Sequence, residues 1–276
     1  MLRSKLARQP GLTASMHFFL GLALVNLGRT EEAAVEFREC IAKRDRPALT
    51  PINPDILGVG PYQCLASCLV RLERADEARA AFVAALGQGT NPGTVRLDYA
   101  RFLVAQGEPV AALELLHAQV SERPTELAAW QLGGEIALGR PKFLEFALDW
   151  TGEALRALPD NATLVAQRAE ALMFNGELEA ALPLWRQLHG RREAGQLAAL
   201  VFCEALAGDR QVRIEAGEEA GVSREFLNLF RRLVDRGAEA LVRRLQPELG
   251  AVATALPTAA RVLREVLADA GEPAAV

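Results

Sequence analysis

The chain has 276 residues, of which half are apolar and 24% are charged, and its net charge is −4. The 31 basic and 35 acidic residues are interspersed, which argues against a nucleic-acid surface because such a surface needs clustered basic side chains. Alternation of Val, Ile and Thr with period two is absent, so the sequence predicts an all-α protein. The basic doublets of note are interpreted as solvated helix faces: Arg191-Arg192, Arg231-Arg232 and Arg243-Arg244.

The N-terminal residues resemble a secretory signal at first sight. Basic side chains within the first eight positions precede an apolar stretch from Met16 to Leu27. His17, Gly21 and Asn26 interrupt this stretch, and no small-residue cleavage site follows it. The stretch is better explained as a first packed helix, and no other segment approaches the length of a membrane span.

Four stretches of the chain are variants of one pattern: LGRTEEAAVEF (27–37), LERADEARAAF (72–82), QGEPVAALELL (106–116) and NGELEAALPLW (175–185). Each copy has an anchor alanine after a turn, and Ala78 and Ala112 are 34 residues apart. The next anchor, Ala181, follows after 69 residues, which leaves room for a hidden copy anchored on Ala147, LGRPKFLEFALDW (138–150). A fixed period of this length predicts stacked helical repeats, each of which buries its apolar face against its neighbours.

Small and large residues recur at matching places within the copies. Each first helix contains a small residue that lets two helices approach closely. It is the second residue of the pairs Leu20-Gly21, Leu65-Ala66, Tyr99-Ala100, Gly133-Gly134 and Arg168-Ala169. A large residue follows each of four anchors: Phe37, Phe82, Leu116 and Trp185. The prolines that end the units are Pro124 and Pro159, with Pro47 and Pro92 slightly displaced.

The period and these residues resemble the tetratricopeptide repeat. The resemblance implies a right-handed α-solenoid of antiparallel helix pairs over residues 1–190, with about five repeats after a leading half-repeat. Three departures occur in the fourth and fifth copies: an extra residue near Pro141, Thr151 where an aromatic residue is usual, and Arg168 where leucine is usual. The opening LRSKLARQPG reads as the end of a second helix, so we expect Met1 to lie inside a repeat of a longer polypeptide.

A Pro-rich insertion separates the first two copies at residues 46–61. The anchors Ala33 and Ala78 are 45 residues apart, and the excess contains four prolines, so the insertion is predicted to be non-helical. Two interpretations stay open for it. Long insertions in repeat arrays are often functional, and an inert loop over the stack is the alternative.

Residues 191–276 are predicted to form a helical closing region that covers the end of the stack. The segment 197–206 reads as another first helix, and a break follows it. Ser223 is predicted to cap a helix that runs to Gly237. A short helix over 238–245 and a last helix over 258–268 complete the predicted region, separated by prolines.

Residues with catalytic or metal-binding chemistry form no recognisable constellation. Cys64 and Cys68 share a predicted helix face, but no histidine is near them to complete a metal site. Cys40 and Cys68 stand where the repeat usually has alanine, so they are interpreted as small buried thiols in a protein of a reducing compartment, the cytoplasm.

The remaining signals for catalysis are equally weak. His17, His117 and His189 are far apart in the chain, without a partner that suggests a catalytic triad. GEIALGR (134–140) has the glycine spacing of a phosphate loop but continues as Arg140-Pro141, where Lys and Ser or Thr are required. The sequence therefore predicts no catalytic residue, cofactor or metal, and a chain that is not itself an enzyme.

The resemblance implies a binding surface, because the first helices of tetratricopeptide repeats line a concave groove. Such a groove would begin apolar, pass two arginines, end acidic and suit an extended or helical segment of a protein partner. Alternatively, Phe18 and Leu22 pack on a preceding repeat. The groove candidates are Phe18, Leu22, Val25, Asn26, Gln63, Ser67, Arg71, Leu97, Arg101, Gln131 and Glu135; Val104, Leu138, Glu170 and Met173 extend this set.

Two functions follow as expectations. The first is a non-catalytic protein–protein interaction scaffold that binds a partner segment in the groove, with no nucleic acid and no membrane span. Phe18, Leu22 and Cys64 stand where family members that bind acidic chaperone tails have a clamp of polar and basic residues, so we expect no binding to such tails. The alternative is the accessory tail of a bacterial family 2 glycosyltransferase, whose repeat–insertion–repeat order this chain resembles. The D-x-D motif of that catalytic domain is absent from the chain.

Overall fold

The computed structural model describes residues 12–45, 56, 58–88 and 93–269, and every regular element in these ranges is helical. The helices follow one another in sequential antiparallel pairs, so the predicted all-α repeat fold is confirmed. The chain divides into two compact units, Met1–Glu122 and Arg123–Val276, and each is described by itself. The predicted boundary at residue 190 stays a prediction; within the second unit, helices on its two sides pack against each other.

The described residues of the first unit form three helix pairs, in which each helix packs on the next along the chain. Thr13 caps the first helix, because its side chain accepts a hydrogen bond from the backbone N–H of Met16 at 3.4 Å. The helices are α1 (Ala14–Asn26), α2 (Thr30–Lys43), α3 (Gly60–Arg71), α4 (Ala75–Leu86), α5 (Gly93–Ala105) and α6 (Pro109–Glu122). Pro61 and Pro109 lie in the first turns of α3 and α6, where the N–H that proline lacks would form no helical hydrogen bond.

The second unit continues the pairs and ends in shorter helices. Asn161 caps its third helix by accepting hydrogen bonds from the N–H groups of Thr163 and Leu164. Short 3₁₀ turns occur at Pro141–Phe143, His189–Arg191 and Gln246–Glu248. The helices are α7 (Leu127–Leu138), α8 (Leu144–Ala157), α9 (Ala162–Phe174), α10 (Leu178–Leu188), α11 (Ala194–Ala207), α12 (Glu219–Asp235), α13 (Glu239–Leu245), α14 (Leu249–Ala255) and α15 (Pro257–Asp269).

The anchor alanines confirm the predicted register. All five are completely buried, at 0% exposure: Ala33, Ala78, Ala112, Ala147 and Ala181. The large residues four positions later are buried too, and at Gly21 a methyl group would lie 2.7 Å from Cε1 of Phe37. Small and large residues are therefore matched across the helix pairs, and there is no space for a larger side chain at the small positions.

The turns within the repeats also recur. Gly28, Gly107 and Gly176 each stand five residues before an anchor alanine and adopt φ between +73° and +82°. Glu73 occupies the same place in the second repeat with φ +58°. In the fourth repeat the 3₁₀ turn Pro141–Phe143 accommodates the extra residue instead.

The departures from the repeat have local explanations. Thr151 is buried and its hydroxyl donates to the carbonyl of Ala147 at 2.7 Å, while the preceding Trp150 supplies the missing aromatic ring. That ring packs on Trp130 with centroids 4.8 Å apart. Arg168 donates to the backbone carbonyl of Leu148 at 2.5 Å, which explains a guanidinium where leucine is usual.

For the last region one prediction is wrong and one helix was not predicted. The helix predicted to begin at Ser223 begins at Glu219 instead, and Ser223 is buried within it. Its hydroxyl accepts from the N–H of Ala259, and Glu219 accepts from the N–H of Thr258. Ser223 is thus a capping residue for α15 rather than for its own helix. The helix Leu249–Ala255 was also not predicted.

The prediction that residues 46–61 contain no helix is wrong at its C-terminal end. Gly60 and Pro61 begin α3, and Ile56 has helical geometry. Ile56 is 1% exposed and packs in a small cluster with Ala14 and Cys40. Residues 46–55 and 57, like the N-terminal residues 1–11, lie outside the described residues.

Candidate partner-binding surface

Side-chain hydrogen bonds join the first helices α3 and α5 at the spacing of the repeat. Gln63 donates to Asp98, 35 residues later, with Nε2 and Oδ2 2.8 Å apart. The other oxygen of Asp98 accepts from Arg101, at 3.3 Å. This bond shows that the first helices of the second and third repeats lie side by side. It brings together the predicted surface residues Gln63 and Arg101.

On α1, the predicted surface residues are only partly exposed. Phe18 is half-buried: it packs edge-on against Phe37, with centroids 5.9 Å apart, and against the cluster that contains Ile56. Leu22 and Val25 are half-buried, and Asn26 is exposed. Exposed apolar side chains that the sequence reasoning missed stand on the same helix and just after it: Met16 is 49% exposed, Phe19 59% and Leu27 70%.

The remaining candidates of the first unit differ in accessibility. Arg71 is exposed and forms no ion pair with any residue that the structure describes. Ser67 is exposed and donates to the carbonyl of Gln63 at 2.9 Å. Leu97 is only 8% exposed and belongs to the core, which leaves little of it for a partner to contact.

In the second unit, the first helices α7 and α9 are joined in the same way. The side chain of Gln167 donates to the backbone carbonyl of Gln131, 36 residues earlier, at 2.9 Å. Gly134 makes room for this side chain, because a methyl group there would lie 2.7 Å from Cδ of Gln167. Gln131 itself is half-buried and Glu135 is exposed.

A cavity of about 380 Å³ lies in the second unit, lined mainly by α9, α11 and α12. Two of its lining residues, Glu170 and Met173, were predicted to extend the groove. Sequence reasoning missed the other side of the cavity, which includes Trp185, Gln196 and Arg232. The large-residue position of the repeat marked Trp185 as a core residue but did not indicate that it borders a cavity.

Side chains of α12 contact α9 at two successive turns. Arg232 pairs with Glu170 at 2.5 Å, and one turn later the guanidinium of Arg236 stacks over Phe174, 4.1 Å from the ring centroid. Burial lowers the pKa of Arg236, and the nearby positive charge of Arg232 lowers it further. The predicted closing region therefore contributes a wall to the first-helix surface of the fifth repeat.

The interpretation of the basic doublets as solvated faces is wrong for Arg192. Its guanidinium is half-buried and bonds both carboxylate oxygens of Glu218, one of them through Nε at 2.8 Å. It also donates to the carbonyl of Arg213 at 3.2 Å. Arg192 therefore holds the long connection between α11 and α12 in place.

The one histidine with an extensive buried network is His17, which is 4% exposed. Its Nδ1 lies 2.7 Å from a carboxylate oxygen of Glu36, and its Nε2 lies 2.7 Å from the ammonium of Lys43. The ammonium can only donate, so Nε2 accepts and Nδ1 carries the proton that Glu36 accepts. Every polar atom of the ring is satisfied, which is the arrangement of a structural histidine. His117 is exposed, and His189 lies beside Arg192.

The cysteines fit the prediction of small buried thiols. Cys40, Cys68 and Cys203 are buried, Cys64 is half-buried, and all four are free. Burial raises the pKa of Cys40 to about 11 and that of Cys203 to about 12, values at which the reactive thiolate is scarce near neutral pH.

The described part of the chain offers neither a metal site nor a membrane-spanning helix. There, no group of three or more His, Cys, Asp or Glu side chains could hold a metal ion. The described helices likewise include none that combines the length and the apolar character needed to cross a bilayer.

Comparison with known proteins agrees with this geometry. Residues 65–136, from α3 to α7, match the family model of the tetratricopeptide repeat. No curated protein sequence matches the chain. The chain therefore contains tetratricopeptide repeats over residues 65–136 and has the helical repeat fold of this class. Domains of this class are in general protein–protein interaction modules.

Solved structures show the same fold at low sequence identity. A tetratricopeptide repeat protein from Parabacteroides merdae matches with a TM-score of 0.57 and 16% identity, over 93% of this chain and 98% of that one. The C-terminal part of a repeat-containing protein from Cytophaga hutchinsonii gives 0.55 and 15%, over 86% and 85%. PilF from Pseudomonas aeruginosa gives 0.52 and 17%, over 82% and 97%. None of these is described as a glycosyltransferase, so the resemblance to a glycosyltransferase tail stays a prediction from the sequence.

Proposed function

We propose that this chain is a non-catalytic scaffold that binds a segment of a partner protein across its first helices. The observation that carries the proposal is the hydrogen bond between Gln63 and Asp98, which joins equivalent faces of neighbouring repeats. Because α3 and α5 lie side by side, Arg71 and Arg101 extend one continuous surface. The core around the buried anchor alanines does not include the side chains of Arg71 and Arg101, so both are available to a partner.

The charges on this surface define what the partner segment presents. Arg101 already pairs with Asp98 at 3.3 Å, whereas Arg71 is exposed and unpaired among the described residues. An acidic side chain of the partner therefore belongs opposite Arg71. On α1, the half-buried Leu22 and Val25 offer apolar contact, and this part of the proposal rests on the repeat register. A segment with apolar side chains and one acidic side chain is the complementary ligand.

The proposal is tested by selecting binding peptides from a displayed random library with the full chain. Affinities of the selected peptides are then measured by calorimetry for the wild type, Leu22→Asp and Arg71→Glu. We expect both variants to weaken binding by tenfold or more, because each places a charge against an apolar or an acidic group. Val83→Asp is the matched control, since Val83 is 55% exposed on the second helix α4.

Two outcomes would overturn the proposal. Peptides that bind the wild type and both groove variants equally would place the binding surface elsewhere. Loss of binding in Val83→Asp as well would show a general effect of the added charge. An acidic chaperone-tail peptide serves as a further control, and we expect no measurable binding, because Phe18, Leu22 and Cys64 offer no donor for its carboxylates.

A further inference from the structure

The cavity in the second unit is lined by residues with one buried hydrogen-bond donor and two buried acceptors that have no partner among the described residues. One of the acceptors is Oε1 of Gln167, whose Nε2 donates to the carbonyl of Gln131. Trp185 is 5% exposed, lines the cavity, and its Nε1–H has no hydrogen-bond partner among the described residues. Gln196 also lines the cavity, and its Oε1 is buried without a partner in the same described set, while its Nε2 donates to Glu193 at 2.7 Å. An indole N–H can only donate, and an amide oxygen can only accept. Unpartnered buried polar groups of this kind are rare in folded proteins.

The charged side chains that line the cavity are paired within the protein. Arg232 pairs with Glu170 at 2.5 Å, and Arg191 with Glu193 at 3.1 Å. The remaining lining carboxylate, Glu225, lies 3.6 Å from Arg224. A charged ligand group would therefore have to share or displace an existing ion pair, whereas a neutral polar group would not.

We infer that this cavity binds a neutral carboxamide of the partner segment, an Asn or Gln side chain, with its C=O on Trp185 and its NH₂ on Gln196. A carboxamide is a small neutral group with one C=O that accepts and two N–H bonds that donate, which is the complement of one unpartnered donor and two unpartnered acceptors. Its apolar stem contacts the alanine, methionine and leucine side chains of the wall: Ala166, Met173, Ala199 and Leu229. The inference rests on the proposed partner binding and names a ligand group for the fifth repeat.

The volume of the cavity agrees with this occupant. About 380 Å³ lies at the lower end of the range of ligand pockets, which is sufficient for one side chain and part of its backbone. The cavity is bordered by α12, so an extended segment does not need to lie flat along the first helices here. The cavity therefore recognises one inserted side chain, whereas on α3 and α5 the partner segment lies along the helices.

The test uses two probes of the same shape, isobutyramide and isobutyrate, with the full chain. Each probe is titrated while the indole ¹⁵N–¹H resonance of Trp185 is followed, after assignment by comparison with Trp185→Phe. We expect isobutyramide to shift this resonance saturably with a millimolar Kd, as suits so small a fragment, and isobutyrate to leave it unchanged. For Trp185→Phe and Gln196→Leu, binding is followed through the NMR signals of the ligand. Each variant should weaken the affinity for isobutyramide by about two- to tenfold.

Folding is checked in the same samples, because both variants alter buried groups. Val234→Thr is the matched control, since Val234 is 52% exposed on α12 and does not line the cavity. Equal or stronger binding of isobutyrate would overturn the inference in favour of an anion site. A Trp185 resonance that neither probe moves would mean that water alone satisfies the cavity. Either result leaves the affinities of display-selected peptides for α3 and α5 unaffected, so it is distinguishable from failure of the proposed function.

Discussion

Gly133 on α7 lies directly against the indole of Trp150 on α8. A methyl group added at Gly133 would overlap the ring and lie 2.9 Å from its Nε1, and that Nε1 donates to the carbonyl of Trp130 at 2.9 Å. The ring is therefore fixed by a hydrogen bond as well as by packing and cannot move aside. The glycine and the tryptophan together replace the usual small–aromatic pair of the repeat.

We predict that Gly133→Ala destabilises the protein by about 1–3 kcal/mol, the usual cost of overpacking a core. Chemical denaturation followed by circular dichroism measures this change. The matched control is Gly250→Ala on α14, where no atom lies within 4 Å of the added methyl group. It should be neutral or stabilising by up to about 1 kcal/mol, because alanine favours helix more than glycine does. Equal stability of Gly133→Ala and wild type would contradict the packing described here.

Glu73 occupies a turn position that three other repeats give to glycine. Its φ of +58° is unfavourable for a residue with a Cβ, by about 1–2 kcal/mol. Glycine there removes this strain but loses more backbone entropy on folding, so Glu73→Gly should stabilise by about 0.5–1 kcal/mol. Thermal and chemical denaturation test the sign.

The reverse change provides the control for Glu73. Gly107 has φ +80° at the equivalent place, and no atom lies within 4 Å of an added methyl group. Gly107→Ala should therefore destabilise by about 1 kcal/mol through conformation alone. If Glu73→Gly is neutral while Gly107→Ala is destabilising, contacts of the Glu73 side chain offset its strain.

The repeat fold could be predicted because its packing constraints recur. Each anchor alanine must fit the same helix crossing, so one alanine pattern appears five times and is 0% exposed each time. Local signals failed where the partner is distant in sequence. Ser223 has the residue type of a helix cap, but the N–H that its hydroxyl accepts belongs to Ala259, 36 residues later. Nothing near Ser223 in the chain distinguishes these two roles.

The two candidate sites, the first-helix surface and the cavity, also differ in how far the sequence predicts them. The first-helix candidates Gln63 and Arg101 follow from the repeat register, and the structure brings them together through Asp98. The cavity could not be predicted, because it depends on where α12 lies after an irregular connection. The pairing of Arg232 with Glu170 crosses 62 positions of sequence without any repeat to indicate it.

Glu218 is expected to make stability depend on pH in the acid range. The Arg192 guanidinium lowers the pKa of Glu218 from its ordinary value of 4.5 to about 2, with a further hydrogen bond from the N–H of Glu215. A lowered folded-state pKa means that the carboxylate stabilises the folded chain above about pH 4.5, and that this contribution is lost as the pH falls toward 2. Thermal melts of wild type and Glu218→Gln should therefore converge as the pH falls through this window.

The control for this prediction is Glu179→Gln. Glu179 is exposed, and its carboxylate forms no hydrogen bond or ion pair with the described residues. Its replacement should leave the difference from wild type nearly constant across the same pH range. If Glu218→Gln behaves like Glu179→Gln, then the Arg192–Glu218 pair does not hold the connection between α11 and α12 in solution.

Cys64 is predicted to react slowly with alkylating reagents although it is half-buried rather than fully buried. Burial raises its pKa to about 11, and the neighbouring Cys68 and Cys40 add to the effect. At pH 8 only about one thiol in a thousand is then a thiolate, the form that reacts. Iodoacetamide labelling, counted by mass spectrometry, should accelerate about tenfold for each pH unit between about 8 and 10. Cys64→Ser should abolish this labelling in the native protein, because Cys40, Cys68 and Cys203 are buried. Rapid labelling at pH 8, at the rate of a free thiol in solution, would show that water reaches Cys64 more freely than its position on α3 allows.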